Sequence, residues 1–489
     1  MRALLPLLVI EGVARAGGTL VADDGSAGLQ RAGAFAAKAD DPTALWYNPA
    51  GFAISESGVF VGVNVIAYDS SFKRGGVYAN VPGSPPYQGD PYPTVHDRSA
   101  PLPVPMIAAT IRHDRFALGF GVMAPQGDGN RDFPTAVTIF DAHGAPAPQR
   151  YDVVSQHALI VLPSIAGAMA VSRTLRVGAR LSYGYASLSS TKVVQGVGNG
   201  AEDPDSDSWV TIDATDSQIA TGAIGVHWVA SPAIELAATY DAAVHVHAVG
   251  TSKTELGSGL ANVGGMPNYI EPVPNPVCAP GGVRDAIATC VDLAIPETAT
   301  GAGRYIVRDD DGDEVGDVEL DVRWENWASA SDTVVHVDGQ NHALAVPIFP
   351  TYIKHGFRDV WSVRLGASSS FDCAGHECHV RAGVSYDTAA APDSWTRLDI
   401  DGNARFMAAG GLGVRFGDWR VDVGGALIAQ PRRNLGDVAI TDPTDVASRV
   451  QPDVTVPLSA PAGQPYHPFN AGAYESGYQI LSLGLLRAF

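Results

Sequence analysis

Residues 373–379, CAGHECH, hold four potential soft-metal ligands, namely Cys373, His376, Cys378 and His379. Sulfur and imidazole nitrogen are the ligands of structural zinc sites. A structural zinc site normally takes its ligands from two separated clusters, however, and no second cluster accompanies this one. The other two cysteines, Cys278 and Cys290, form another local pair. Because close cysteine pairs in exported chains are usually bridged, we predict two loop disulfides and no metal site.

Two further groups of ligand-type residues are candidates for ion binding. The stretch RDDDGDEVGD carries four carboxylates that could gather calcium in an external loop, namely Asp309, Asp310, Asp311 and Asp313. Its glycine is not placed as an EF-hand loop requires, so a solvated acidic loop is the preferred interpretation. His245 and His247 share one strand face, which we interpret as part of a polar lumen.

Motifs for catalysis are missing from the sequence. There is no G-x-S-x-G elbow, no glycine-rich phosphate loop and no H-E-x-x-H. We therefore expect no enzyme and no cofactor. A Ser-His dyad carried on separate strands would leave no local motif, so an outer-membrane esterase stays open as an alternative.

Composition excludes nucleic acid as a partner. The 489-residue chain carries a formal net charge of −20, which repels nucleic acid, and no cluster of lysine and arginine offsets it. Hydrophobic residues make up 46% and charged residues 17%, so the chain is not disordered.

Alternation of apolar and polar residues runs through most of the chain. In LRVGARLSYGYA, residues 175–186, every second side chain is apolar over more than ten residues, which a helix could not use. The same alternation recurs at 59–65, 234–240, 361–367, 380–386, 405–416 and 419–427. Turn-forming clusters such as Phe416-Gly417-Asp418 separate the runs. We predict an all-β, antiparallel fold.

A transmembrane barrel fits these strands better than a soluble sandwich. Several runs reach the 9 to 11 residues that a membrane-spanning strand needs, and aromatic residues sit near strand ends, as in interfacial girdles. Short turns alternate with long polar segments, which we place at 187–216, 250–333 and 429–474.

Both ends of the chain suggest export to an outer membrane. Residues 1–16, MRALLPLLVIEGVARA, have the basic, apolar and small-residue order of a signal peptide. The last strand, YQILSLGLLRAF, ends on Phe489, and a terminal aromatic of this kind is typical of the strand that barrel insertion machinery recognises.

The N-terminal stretch Gly25–Ala53, GSAGLQRAGAFAAKADDPTALWYNPAGFA, gives a more specific indication. It resembles the N-terminal plug of the outer-membrane long-chain fatty acid transporters, the FadL type, including the Asn-Pro-Ala motif. The stretches 105–127, 162–186 and 380–428 resemble strands of that family in the same order.

The resemblance implies a barrel of about 14 strands over residues 54–489, with long extracellular loops and a lumen closed by a hatch over residues 17–53. The expected hatch motif is Trp46, Tyr47, Asn48, Pro49, Ala50 and Gly51. It further implies capture of a hydrophobic substrate and its sideways release through an opening in the wall. Pro101, Pro103 and Pro105 crowd the start of an early strand and mark our candidate for this opening, because proline cannot donate to a strand ladder. The alternative for the prolines is an ordinary periplasmic turn.

The function expected from the sequence is passive uptake of hydrophobic compounds across the outer membrane of a Gram-negative bacterium. Long-chain fatty acids and aromatic hydrocarbons are both candidate substrates. The expected partners are these molecules, the lipid around a monomeric barrel and the insertion machinery. A general porin for polar solutes and a barrel with adhesive surface loops are the alternatives.

Overall fold

The structure is a computed structural model that describes residues 24–78, 83–124, 130–139, 143–194, 203–435 and 469–489. The predicted signal peptide, residues 1–16, and the first residues of the predicted hatch lie outside these ranges.

The wall is one closed antiparallel barrel, in which β14 pairs with β1 over their whole length. The predicted all-β barrel of about 14 strands is confirmed. The wall strands are β1 (Gly58–Arg74), β2 (Leu102–His113), β3 (Phe116–Met123), β4 (Ser155–Ala170), β5 (Leu175–Val194), β6 (Ser208–Ser231), β7 (Ile234–Asp241 and Val244–Leu256), β8 (Ile287–Ile295 and Thr298–Arg308), β9 (Glu314–Glu325 and Asp332–Val337), β10 (Val360–Cys373), β11 (His376–Asp387), β12 (Arg405–Phe416), β13 (Trp419–Ala429) and β14 (Gly472–Ala488).

The remaining elements are short. Strands outside the main wall are Thr94–His96, Arg131–Asp132, Ala136–Ile139, His143–Pro146, Asn262–Val263, Met266–Pro267, Ile270–Pro272, Gly339–Asn341, Val346–Pro347, Thr351–Lys354 and Arg433–Asn434. The helices are α1 (Ser26–Gln30), α2 (Ala44–Tyr47) and the 3-10 turns Pro49–Ala53, Pro204–Ser206, Trp327–Ala330 and Asp393–Trp395. Across the described ranges, none of the helices has the length and hydropathy to cross a membrane.

An apolar belt surrounds the outside of the barrel. In β14, buried and exposed positions alternate, and Leu481, Leu483 and Leu485 face outward. Exposed residues of the same kind lie on the neighbouring strands, including Val421 and Val423 on β13. A soluble protein would bury such side chains, so the belt marks the part of the wall that faces lipid.

The two ends of the barrel differ in their connections. At one end, which we call the short-turn end, the connections are 114–115, 171–174, 232–233, 309–313, 374–375 and 417–418. The opposite, long-loop end carries every other connection between described strands. The aspartates of 309–313 therefore lie in a short turn and not in the external loop that we expected.

Strands occupy much of two of the three predicted long loops. More than half of 187–216 belongs to β5 and β6, and about half of 250–333 belongs to β7, β8 and β9. At about 3.3 Å per residue, the 24 residues of β6 extend roughly 80 Å, far more than the ~30 Å hydrocarbon core of a bilayer. The wall therefore continues well beyond the belt. Residues 436–468, in the third predicted loop, lie outside the described residues.

We call this extension the upper wall. Its apolar side chains face the inside of the barrel and its polar side chains face outward, which is the opposite of the belt. The upper wall comprises 186–194, 208–219, 244–256, 287–295 and 332–337. On β7, Val244 and Val246 face inward and are buried, whereas His245 and His247 point outward. The interpretation of these histidines as lumen residues is wrong, because above the belt the outside of the barrel contacts water and the inside is apolar.

A mouth loop, residues 388–404, folds inward at the long-loop end. Arg397 is buried and donates from Nε to Asp152 Oδ1 at 2.9 Å. It also pairs with Asp399 at 3.2 Å, and Asp399 contacts His355 Nε2 at 3.1 Å. The loop is thereby joined to segments that precede β4 and β10.

Candidate functional site

The N-terminal residues fill the middle of the barrel. The hatch segment, residues 24–53, is almost entirely buried, and its helices contact the inner faces of strands on both sides of the lumen. Small side chains from α1 onward permit this tight packing: Ala32, Ala34, Ala37 and Ala39 are each fully buried. The segment therefore occupies the position that the hatch prediction requires.

The Asn-Pro-Ala motif makes a sharp turn at the centre of the hatch segment. Helix α2 ends at Tyr47, and the Asn48 side chain accepts a hydrogen bond from Ala50 N at 3.0 Å, which caps the following 3-10 turn. Pro49 begins that turn, where its missing N–H costs no hydrogen bond. Gly51 packs against Ala39 too closely to carry a side chain.

Asn48 also connects the hatch segment to the wall. Its Nδ2 donates to Ala36 O at 2.8 Å and to Val226 O on β6 at 3.3 Å. Two wall glycines permit the approach, because a Cβ at Gly225 would overlap Asn48 and a Cβ at Gly178 would overlap the Pro49–Ala50 peptide.

A row of carboxylates on β9 holds the first half of the hatch segment. The carboxylate row is Asp317, Glu319 and Asp321, three alternate residues that point inward and are buried. Arg31 donates to Asp317 at 2.9 Å and to Glu319 at 3.0 Å, and all three side chains are fully shielded from solvent. Removal of one partner from such a buried pair strongly destabilises the folded structure. The two pairs therefore fix the position of α1.

The carboxylate row also accepts hydrogen bonds from the hatch backbone. Glu319 Oε1 accepts from Ala37 N at 2.6 Å, and Asp321 Oδ2 accepts from Phe35 N and Ala36 N, each at 3.2 Å. These backbone N–H groups have no partner within a helix or sheet of the hatch segment, and the wall carboxylates satisfy them instead.

Arginines on other strands hold further hatch residues. Arg420 on β13 pairs with Asp41 at 2.7 Å. Arg381 on β11 donates to Gln30 at 3.0 Å and pairs with Asp422 at 2.7 Å. Charged and polar side chains of β9, β11 and β13 therefore anchor the hatch segment to the wall.

A central cavity of about 80 Å³ lies between the hatch segment and strands β3 to β10. Trp46 and Tyr47 line it from the hatch side. The wall contributes apolar side chains, namely Met123, Leu162, Val244 and Ile295. The remaining sides are polar and include Arg180, Asp241, Asp321, Arg323 and Arg364.

The apolar side of the cavity is continuous with the inside of the upper wall. One cluster of packed side chains includes Leu45 of α2, Met123 and Leu162 at the cavity, and Val246 and Val335 of the upper wall. A continuous cluster of packed apolar side chains thus extends from the upper wall to the hatch segment.

Among the described residues, the strand pairing of the wall is interrupted beside this cavity; residues 125–129, which follow β3, lie outside the described ranges. Strand β3 pairs with β2 only from Ile107 to His113 and with β4 only as far as Met123 opposite Leu162. Pairing with β4 resumes at Arg131 opposite Gln156. The wall gap is therefore bounded by residues 102–106 of β2 and 157–161 of β4.

The wall gap lies at the height of the apolar belt. On β2, Pro103 is opposite Val65 of β1, and Val65 is opposite Leu481 of β14, a belt residue. Pro103 and Pro105 pair with β1 and lie where β2 has no pairing with β3 among the described residues, and Pro101 directly precedes the strand. All three prolines are exposed.

Both predicted cysteine pairs are joined by disulfides in the structure. Cys373 and Cys378 bridge the β10–β11 hairpin at the short-turn end, and His376 packs against Phe416 there. Cys278 and Cys290 attach an excursion at the long-loop end to β8, and Cys278 lies near His336 and Asp338.

Sequence reasoning missed the anchors of the hatch segment. The stretch 317–322, DVELDV, contains the signal, because three carboxylates on one strand face require a partner with positive charge or free N–H groups. The partner, Arg31, lies 286 residues earlier, and no local pattern connects the two.

A closed barrel with an apolar belt, an internal hatch segment and a cavity beside a wall gap defines an outer-membrane transport barrel. The family described as "Outer membrane protein transport protein (OMPP1/FadL/TodX)" matches residues 7–457, and the chain belongs to this family. The resemblance seen in the sequence is thereby confirmed, as is the outer-membrane location. No curated protein sequence matches the chain significantly.

Solved structures share the fold at low sequence identity. A Pseudomonas aeruginosa FadL homologue superimposes with a TM-score of 0.71 and 17% identity, covering 97% of this chain and 100% of the other. The Ralstonia pickettii toluene transporter TbuX gives 0.59 and 14%, covering 95% and 98%. The Pseudomonas putida toluene transporter TodX gives 0.55 and 12%, covering 92% and 94%.

Proposed function

We propose that this protein takes up hydrophobic small molecules passively and releases them sideways into the outer membrane. The observation that carries the proposal is the continuous apolar cluster that joins the inside of the upper wall to the central cavity. Toluene transporters and a FadL homologue share the fold, which is consistent with a hydrophobic substrate.

The route begins at the inner face of the upper wall. A hydrophobe there is shielded from water, whereas in an aqueous pore it would stay solvated at a cost of about 25 cal/mol per Å² of apolar surface. From the upper wall it reaches the central cavity, where Trp46 offers an apolar ring.

The exit is the wall gap. Met123 and Leu162 line the cavity, and they are also the last residue pair between β3 and β4. A molecule that passes between them reaches the belt directly. The hatch segment, turned at Asn48, Pro49 and Ala50, blocks the alternative path to the short-turn end.

A general porin fits these observations less well. Porins keep an open, polar lumen, whereas this lumen holds a buried segment anchored by ion pairs. Passage of polar solutes would require that segment to leave.

Two measurements test the proposal. The first is single-channel conductance of the refolded protein in planar bilayers, with and without residues 17–53. We expect the intact protein to be nearly silent and the truncated protein to conduct. Large, steady conductance of the intact protein would favour the porin.

The second measurement is transfer of a fluorescent hydrophobe into lipid vesicles that contain the protein. Ala124, a buried residue directly after β3, packs with Val104 beside the wall gap. We expect Ala124→Trp to slow transfer by obstructing the gap. Ala408→Trp, on the lipid face of β12, is the matched control and should transfer normally. Equal rates in both variants would contradict sideways release.

We further propose that the protein acts as a monomer without catalysis or cofactor, surrounded by outer-membrane lipid. Its last strand supports insertion by the barrel machinery, since Phe489 is exposed at the end of an outward-facing row of leucines. Sedimentation of the detergent-solubilised protein tests the monomer, and deletion of Phe489 should reduce its assembly in cells.

A further inference from the structure

Three metal-ligand residues lie close together on the upper wall. The ligand atoms of Cys278, His336 and Asp338 are all within 4.8 Å of one another. Within the described ranges, no other three cysteine, histidine or carboxylate ligands meet this condition. The stretch 373–379, CAGHECH, holds four ligand-type residues but does not bring three of them together. The structure therefore moves the candidate metal site from that stretch to the other cysteine pair.

A fourth ligand adjoins this cluster. Cys290 is bonded to Cys278 and lies directly opposite His336 in the ladder between β8 and β9. Residues directly opposite in a ladder carry their side chains on the same face of the sheet. Once the disulfide is opened, the four residues offer two sulfurs, one imidazole nitrogen and one carboxylate oxygen. All three kinds of atom are zinc ligands.

The spacing and orientation of the ligands suit zinc. Zinc lies about 2.0 to 2.3 Å from such ligands, so neighbouring ligand atoms of a tetrahedral site are about 3.3 to 3.8 Å apart. His336 Nε2 is 3.4 Å from Asp338 Oδ1. Asp338 is buried and accepts from the backbone N of Val277 at 2.8 Å and of Cys278 at 2.7 Å. Hydrogen bonds of this kind orient a ligating carboxylate, and here they also hold the backbone of Cys278 beside it.

We propose that Cys278, Cys290, His336 and Asp338 bind zinc when the disulfide is reduced by a small thiol. The thiol attacks Sγ of Cys278, which is partly exposed, and Cys290 leaves as the thiolate. A second thiol molecule then releases Cys278 and departs with the first as their mixed or symmetrical disulfide, so two electrons enter the protein. Zinc displaces the protons of the two cysteine thiols. The metal thereby replaces the covalent link and keeps the excursion, residues 257–286, attached to β8.

Cobalt titration of the full protein in detergent tests the site. The protein carries Cys373→Ser and Cys378→Ser, so that the second cysteine pair cannot contribute. It is reduced with dithiothreitol and freed of the reductant by anaerobic gel filtration. We expect one Co²⁺ per chain, with a thiolate-to-cobalt charge-transfer band, and displacement of Co²⁺ by Zn²⁺. The oxidised protein should show no such band. Absence of the band from the reduced protein would overturn the proposal.

His336→Gln assigns the metal to the site. Loss of an outer partner of a metal ligand already weakens binding by about 10- to 100-fold, so loss of the ligand itself should weaken zinc binding at least about tenfold. His342→Gln is the matched control, because His342 is a more exposed histidine that pairs with Glu271, and it should bind zinc as the parent does. Equal affinities in the two variants would refute the assignment. If the serine background does not fold, His336→Gln in the wild-type chain should lower the cobalt count by one.

Limited proteolysis tests what the metal does. The reduced, metal-free protein should be cut within 257–286 at least about tenfold faster than the oxidised protein, since the link between the excursion and β8 is lost. Addition of zinc should restore most of the resistance in the parent but not in His336→Gln. Zinc that binds and leaves the cleavage rate unchanged would contradict the attachment of the excursion by the metal.

Discussion

Replacement of Arg31 by methionine should release the hatch segment. Arg31 is fully buried and contacts Asp317 at 2.9 Å, Glu319 at 3.0 Å and Ser368 at 3.0 Å. Methionine has a similar volume and cannot pair with a carboxylate. The substitution therefore leaves the packing nearly filled and removes the charge.

The size of the destabilisation depends on the partners that each carboxylate keeps after the substitution. Asp317 keeps Arg304 at 2.7 Å, and Glu319 keeps the amide of Ala37. Removal of one partner from a buried pair costs about 3 to 5 kcal/mol. Because the remaining contacts compensate in part, we take the lower value, about 3 kcal/mol, which shifts the docking equilibrium roughly 150-fold towards release.

Single-channel recording measures this shift as the frequency of openings. Arg415→Met is the matched control, since Arg415 pairs at 3.0 Å with Glu56, just after the hatch segment, but both side chains are partly exposed. An exposed pair contributes about 0 to 1 kcal/mol, so the control should change the frequency less than about fivefold.

The double variant Arg31→Met with Glu319→Gln should recover part of the loss, because it no longer buries an unpaired carboxylate at that position. The anchor argument fails if Arg31→Met opens no more often than Arg415→Met. It also fails if the double variant opens more often than the single one.

Three other predictions concern different parts of the chain. Gly178→Val should raise the opening frequency more than about tenfold, because its side chain would overlap the Pro49–Ala50 peptide; Gly167→Val, where a Cβ meets nothing within 4 Å, is the control. Burial raises the pKa of Asp152 from 3.8 to about 6, so the folded mouth loop favours the protonated form and should gain stability as the pH falls from 7 to 5. Hydrogen exchange of residues 388–404, corrected for intrinsic rates, checks this, and Asp152→Asn should reduce the pH dependence. Cys278→Ser should destabilise the excursion that the disulfide closes by about 3 kcal/mol, because the loop of 12 residues gains freedom when unfolded, and limited proteolysis should then cut within 257–286 of the variant before the wild type.

The belt strands could be predicted from the sequence because their physical chemistry is local. Lipid outside and a polar lumen inside impose a strict alternation of apolar and polar residues, as in Leu481, Leu483 and Leu485. Such an alternation can be recognised in the sequence without knowledge of distant residues. The hatch segment was predictable through its resemblance to a family, since nothing in its composition alone requires a barrel around it.

The upper wall could not be predicted by the same rule. Its strands alternate too, but with the polar side chains outside, as His245 and His247 illustrate on β7. An alternation states only that two faces differ and does not say which faces inward. Above the belt the solvent on the outside changes from lipid to water, so the assignment reverses along a single strand.

The long-range anchors of the hatch segment also have a consequence for the order in which the molecule assembles. Arg31 donates to Asp317, 286 residues later in the chain. Gln30 accepts from Arg381 after 351 residues, and Ser26 accepts from Ser482 after 456. The first part of the described chain to leave the ribosome must therefore wait for the last strand before it can pack. Docking of the hatch segment should be the final and slowest folding step, and during insertion every new barrel would pass through a transiently leaky stage.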